Sequence, residues 1–343
     1  MSDLTIAVLR GGPSSEYEVS LKSGAAIINA LDGSYKVLDI LIDRSGNWHR
    51  NGVEMSPTQA LLSADVAVIA LHGAYGEDGT VQRILDKVGL PYTGSDAYAS
   101  ALAMHKPRTR FAVAGLSMIK FPEHFVVRED DAEPAGEGVE LQRGKNYNSI
   151  AQDIFKRFGP PYIVKPASGG SSVGLTIANS IIELPEAIRS VAEHTTDNQV
   201  LVEQLIKGRE TTCGVVENYR DQQHYALPPV EIITPTGKTI FDYDAKYSTD
   251  AQLCAQEICP ADFTREEKAQ IEEAAKAVHI ALDLAHYSRS DFILSPHGLY
   301  FLEVNTLPGL TEQSLLPKSL DTIGSSLKDF LEHIVELAMS GNK

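Results

Sequence analysis

The stretch Ile163-Val164-Lys165-Pro166-Ala167-Ser168-Gly169-Gly170-Ser171-Ser172-Val173-Gly174 reads as a β-strand that delivers a lysine into a loop of small residues. Such a loop can lay its backbone N–H groups over a phosphate, because no bulky side chain keeps the anion away. The lysine precedes the glycines, which argues against a Walker P-loop, where it follows them. A flexible hairpin tip is the competing reading of the same residues.

A second constellation lies further along the chain. Ser290-Asp291-Phe292 and Leu302-Glu303-Val304-Asn305 read as two strands joined by the turn Ser295-Pro296-His297-Gly298. Glu303 and Asn305 are two apart and project from one strand face, and a hairpin brings Asp291 beside them. Three hard oxygen donors suit Mg²⁺ bridging phosphates, although each residue alone reads as an ordinary exposed polar side chain. Arg289 falls on the same face as Asp291. It is placed to stabilise charge on a transferred phosphoryl group or a tetrahedral oxyanion, with a surface salt bridge as the alternative.

Around these motifs, the first hundred residues alternate β-rich runs (5–9, 36–41 and 66–71) with helical stretches at 19–31 and 79–88, the pattern of a parallel α/β unit. Its polar turns at 11–18 and 72–79 sit where such sheets place ligands. A middle segment runs to Ile206 and includes a polar, acidic excursion from Arg128 to Gly144. The last segment is α+β, with strands at 211–216, 230–234, 290–294 and 299–304. Its charged helix at 264–284 opens on Asp262 or Thr264, and an amphipathic helix follows at 326–339. Expected domains are therefore 1–95, 96–206 and 207–343, consistent with a length of 343 residues, beyond what one core usually serves.

A formal net charge of −16 argues against a nucleic-acid partner, while leaving room for an anionic small molecule in a cleft of focused cations. Cys213, Cys254 and Cys259 are too few for a disulfide framework and fit a reduced, cytoplasmic setting. No apolar run approaches the ~18–20 residues of a membrane span, and residues 4–9 lack the flanks of a signal peptide.

Five motifs then occur in a familiar order. They are Gly11-Gly12-Pro13-Ser14-Ser15-Glu16-Tyr17-Glu18-Val19-Ser20, His72-Gly73-Ala74-Tyr75-Gly76-Glu77-Asp78-Gly79, Lys165 to Gly174, Tyr243-Asp244-Ala245-Lys246-Tyr247, and Glu303-Val304-Asn305-Thr306-Leu307-Pro308-Gly309. Over essentially its whole length the chain resembles the D-alanine:D-alanine ligase family. The resemblance implies an ATP-grasp fold preceded by a Rossmann-like parallel α/β domain, with ATP as substrate. It also implies two Mg²⁺ ions, for which Mn²⁺ can substitute, and a homodimer.

Residue roles implied by the resemblance follow by position. Lys106, Lys165 and Ser172 contact ATP phosphates and Lys246 the γ-phosphate. Glu203, Gln204 and Ile206 meet adenine at the hinge, and Glu210 meets the ribose. Asp291, Glu303 and Asn305 hold the metal, while Arg289 and the Gly309 N–H face the oxyanion. Glu16 pairs with the first ammonium and links through Ser171 to Tyr247 on a mobile lid, and His72, Ser314 and Leu315 serve the acceptor.

Two departures from the family pattern are His105, where many members have Asp, and Pro107 after Lys106; the segments 128–144 and 248–256 also look long. The competing functions are a ligase using D-lactate or D-serine as acceptor, an ATP-grasp carboxylase, and an ATP-binding protein without catalysis. Asp244-Ala245-Lys246-Tyr247 resembles the dipeptide-forming type and argues against D-lactate.

Overall fold

The computed structural model describes residues 4–128, 146–170, 174–195, 197–234 and 255–341. The chain opens with β1 (Thr5–Gly11), β2 (Lys36–Ile42), β3 (Trp48–Arg50), β4 (Val53–Met55) and β5 (Val66–Ile69), which form one sheet in the order β4-β3-β2-β1-β5. β1 lies parallel to both β2 and β5. Its run Ile6-Ala7-Val8-Leu9 is fully buried, as a central parallel strand covered on both faces requires. Helices α1 (Tyr17–Leu31), α2 (Pro57–Ala60) and α3 (Thr80–Val88) complete this unit. The turn after β1 needs glycine. Gly11 and Gly12 have φ of +93° and +91°, and a Cβ on Gly11 would lie 2.2 Å from the Ile42 carbonyl oxygen.

Two short helices, α4 (Ala97–Met104) and α5 (Lys106–Ala112), lead to a four-stranded antiparallel sheet. It comprises β6 (His124–Arg128), β7 (Tyr162–Pro166), β8 (Thr176–Ala178) and β9 (Gln199–Gln204) in the order β6-β9-β7-β8. Helices α6 (Tyr147–Arg157) and α7 (Leu184–Ala192) supply its core with Ile154, Leu184 and Ile188.

The third sheet holds β10 (Arg209–Tyr219), β11 (Gln222–Ala226), β12 (Val230–Ile233), β13 (Gln256–Ile258), β14 (Tyr287–Ser295) and β15 (Gly298–Asn305). Its path is β13-β12-β10-β14-β15, with β11 paired on β10. Helix α8 (Arg265–Ala281) packs beneath it. Thr264, rather than Asp262, caps that helix, in a capping box with Glu267. Helices α9 (Leu315–Thr322) and α10 (Leu327–Ser340) follow. The apolar face of α10 joins the core of the first sheet, where Phe330, Leu331 and Ile334 share a cluster with Ile6, Leu9 and Leu31. Residues 207–343 thus feed three cores: α8 packs with Phe292 of β14, α10 and Tyr287 of β14 join the core of the first sheet, and Val230, Ile232 and Leu315 form a small one.

Among the described residues no helix is long and apolar enough to cross a membrane.

Candidate active site

A cleft opens between the four-stranded and six-stranded sheets. Lys106, Lys165, Gly169, Glu203 to Ile206, Glu210, Asp291 and Glu303 line it. β7 carries Lys165 into the cleft, and α5 brings Lys106 to the same place. The Lys106 Nζ donates to the Gly169 carbonyl at 2.5 Å and lies 3.1 Å from Glu303. The Lys106 N–H also bonds to the Ala167 carbonyl at 3.0 Å, so α5 is fastened to the small-residue loop by both main chain and side chain.

His105, the departure noted in the sequence, has a local role. It caps α5, its Nδ1 accepting the Arg108 N–H at 3.3 Å, and Pro107 sits in the first turn, where no N–H donor is needed.

Deeper in the cleft, Glu203 is buried between two cations, Lys165 at 2.9 Å and Arg110. Burial alone would raise the Glu203 carboxyl, but Arg110 and Lys165 outweigh it and hold the group below its ordinary range. For Lys165 burial dominates and lowers its pKa, with Glu203 opposing. Around Glu203 two cations meet one carboxylate, a local surplus that suits an anionic ligand, while Lys106 and Arg289 elsewhere in the cleft are paired with Glu303 and Asp291.

In the hairpin β14–β15 the two-residue spacing sets Glu303 and Asn305 on one face, and a shift of register brings Asp291 onto it. Asp291 faces Glu303, and Arg289 faces Asn305, with a bulge just after Asp291. Arg289 donates to both Asp291 oxygens at 3.0 Å from Nε and Nη2, a bidentate pair. Asp291 also accepts from Thr212 Oγ at 2.6 Å and from the Asn305 amide at 3.1 Å. Burial works against the Arg289 charge, yet Asp291, Glu303 and Glu77 hold the guanidinium firmly protonated.

A second cavity adjoins the cleft, lined by Glu16, Lys22, His72, Glu77, Asn305, Gly309 and Ser314. Arg289, Gly170 and Leu315 line both spaces. His72 is buried, and burial lowers its pKa, so the ring is neutral. Its Nδ1 lies 2.9 Å from the Leu307 carbonyl, which can only accept, so Nδ1 carries the proton and Nε2 accepts from Ser23 Oγ at 2.9 Å. Glu77 accepts the N–H groups of Gly73, Thr306 and Leu307 at 2.9, 3.1 and 3.0 Å. It thereby pins the segment after β15 to the first domain. Burial and the nearby Glu16 nevertheless push the Glu77 carboxyl up to about 7.

Glu16 precedes α1 and approaches the loop closely: a Cβ on Gly170 would lie 3.4 Å from its Oε2. Gly309 has no room for a side chain, since its Cβ would meet Ser314 Oγ at 2.8 Å.

Of the residues expected from sequence, the structure gathers Lys106, Lys165, Glu203, Gln204, Ile206, Glu210, Asp291 and Glu303 around the cleft. It sets Glu16, His72, Asn305, Gly309 and Ser314 around the second cavity, with Arg289 and Leu315 between. Ser171, Ser172, Lys246 and Tyr247 lie outside the described residues, as do 129–144 and 248–254 of the two long segments. Sequence reasoning missed Glu77, Arg110 and Thr212. Glu77 stood inside a quoted motif. Arg110 carried a weak signal, lying one helical turn after Lys106 and so on its face.

Two antiparallel sheets that grip a cleft, beside an α/β domain whose sheet is parallel at β2-β1-β5 and antiparallel at its β3–β4 edge, make this an ATP-grasp protein. Within that class, the chain belongs to the D-alanine–D-alanine ligase family. The family model for the D-Ala–D-Ala ligase N-terminus matches residues 5–60 and 49–95, and that for its C-terminus matches 137–336. A D-alanine–D-alanine ligase of Syntrophobacter fumaroxidans is 37% identical over 338 residues, covering 98% of each chain. The D-Ala:D-Ser ligase VanG of Enterococcus faecalis is similar in structure, with a TM-score of 0.79 and 30% identity over 98% of this chain and 100% of that one. The D-alanine–D-alanine ligase of Bacillus anthracis complexed with ATP gives a TM-score of 0.72 and 28% identity, covering 98% of this chain and 97% of its own.

Proposed function

We propose that this protein joins two D-alanine molecules into D-alanyl-D-alanine, using ATP and releasing ADP and phosphate. The observation that carries this reading is the meeting of the two cavities at Arg289. A nucleotide in the cleft and a small zwitterion in the second cavity would react across that guanidinium.

The first D-alanine carboxylate attacks the γ-phosphorus, ADP departs, and an acyl phosphate forms. The amine of the second D-alanine then attacks its carbonyl, and phosphate leaves. Both steps build negative charge next to Arg289, which stays charged and is held in place by Asp291. Gly309 offers its N–H to the tetrahedral oxyanion. Glu16 faces the first ammonium, and Ser314 and Leu315, at the start of α9, face the acceptor carboxylate.

Lys106 and Lys165 serve the phosphates. With the Glu203 carboxylate engaged by Lys165 and Arg110, adenine contact falls to the peptide groups of 203–206, and Glu210 reaches the ribose. Ser171, Ser172, Lys246 and Tyr247 keep their family roles in phosphate contact and lid closure, which would shield the acyl phosphate from water.

Mg²⁺ fits the hard-oxygen donors Asp291, Glu303 and Asn305; because the Asn305 amide nitrogen donates to Asp291, its carbonyl oxygen is the atom left to ligate. Bound there, two ions would neutralise charge on the transferred phosphoryl group. A cytoplasmic homodimer making a peptidoglycan precursor goes with this reading.

The test is phosphate release from ATP and Mg²⁺ with D-alanine, L-alanine, or D-alanine plus D-serine or D-lactate, with products weighed by mass spectrometry. D-alanine alone should drive release and yield the dipeptide. Turnover only when D-serine or D-lactate is added would reassign the acceptor.

A further inference from the structure

Behind the six-stranded sheet, away from the cleft, three metal-type side chains converge. Glu217 on β10 faces His224 on β11 directly, in a hairpin whose two-residue turn, Arg220 and Asp221 at φ of +49° and +62°, has the type I′ form that fixes this register. The third is His279, from the last turn of α8. The Glu217, His224 and His279 ligand atoms all lie within 4.8 Å of one another. Glu217 is five residues from Thr212, roughly 17 Å along the strand from the side chain that holds Asp291.

Hydrogen bonds around the cluster leave one atom of Glu217 and one of His279 directed inward. Glu217 Oε2 accepts the His286 N–H at 2.6 Å, which leaves Oε1 toward the histidines. His279 Nδ1 is paired with Ser288 Oγ at 2.8 Å. Its Nε2 is fully buried without a hydrogen-bond partner, lying 3.6 Å from Glu217 Oε1, too far for a hydrogen bond. His224 Nε2 lies 3.9 Å from the same oxygen. A buried imidazole nitrogen without a partner is costly unless something accepts its lone pair or its proton.

We propose that Glu217, His224 and His279 form a binding site for a zinc-class divalent cation, separate from the ligase centre. Tetrahedral zinc at ~2.0–2.1 Å from nitrogen and oxygen holds adjacent ligand atoms roughly 3.3 Å apart. The two carboxylate-to-imidazole separations, 3.6 and 3.9 Å, need only a small contraction to reach that, and the imidazoles, within 4.8 Å of each other, close on the ion with them. One carboxylate and two imidazoles are an established zinc donor set, and the Ser288 hydroxyl can accept the His279 Nδ1 proton, the tautomer that leaves Nε2 to ligate. Lys276, a nearby cation that opposes the ion, is paired with Glu273. The metal would tie the β10–β11 hairpin to the end of α8, stiffening the sheet that carries Arg289 and Asp291.

The test uses the full-length protein, stripped with a chelator and kept in excess Mg²⁺ so that hard-oxygen sites are filled. Zn²⁺ affinity is read by competition with a chromophoric chelator, and Co²⁺ reports coordination number by its visible spectrum. The wild type should bind one Zn²⁺ and gain thermal stability with it. His224→Asn and Glu217→Gln, the latter keeping an acceptor for the His286 N–H, should fold normally without zinc and lose the Co²⁺ spectrum. Their affinity should fall by more than the ~10–100-fold expected for the outer-shell change Ser288→Ala. Equal zinc affinity in wild type and both variants, or no stoichiometric binding by the wild type, would overturn the proposal.

Discussion

Glu77 shows how a single carboxylate can serve two masters. Three backbone N–H groups stabilise its anion, yet burial and Glu16 prevail and lift it to about 7 from an ordinary 4.5. Between those values the folded protein binds more protons than the unfolded chain, so this group's contribution is fully present below ~4.5 and is lost as pH rises through ~7. The loss is of order 3 kcal/mol. Urea unfolding of wild type and Glu77→Gln at about pH 5 and about pH 8 checks this: the wild type should lose more stability over that interval than the variant. Identical pH dependence in the two would contradict it. The residue stood in plain view in the His72–Gly79 motif, but nothing in the motif says that its carboxylate binds the segment after Asn305. His72, which sequence placed on the acceptor side, lines the second cavity, with its tautomer fixed by Leu307.

Elements differed in how far the chain announced them. The β14–β15 hairpin was legible as a hairpin that brings Asp291, Glu303 and Asn305 together, but not in its register: the turn alone would set Asp291 opposite Leu302, and the bulge after Asp291 moves it opposite Glu303. The cap at Thr264 could be read only as one of two candidates, since Asp262 competes until the helix start is known. The partnership of α5 with β9 was not legible, because Arg110 and Glu203 are joined by folding rather than by any local pattern. Removing one partner of a buried ion pair typically costs 3–5 kcal/mol, and the surviving Lys165 places Arg110→Ala near the lower end, about 3 kcal/mol. Chemical denaturation measures it. A loss under about 1 kcal/mol would mean that Lys165 alone satisfies Glu203.

For the molecule as a whole, a first α/β unit and a later α+β region were legible, but not the antiparallel β3–β4 edge of the first sheet, nor that α10 returns to the first core. An amphipathic helix declares that one face is buried; it does not declare against what. That return, together with Glu77 holding Thr306 and Leu307, fastens the segment bearing Gly309 to the domain bearing Glu16 and His72. The consequence is the shared boundary at Arg289, where the cleft and the second cavity meet. The central claim is that a D-alanine carboxylate takes the γ-phosphoryl group there. Turnover with D-alanine labelled by ¹⁸O in its carboxylate, followed by mass analysis of the released phosphate, tests it most directly. The account predicts that one labelled oxygen from each donor molecule appears in phosphate; unlabelled phosphate alongside dipeptide would contradict it.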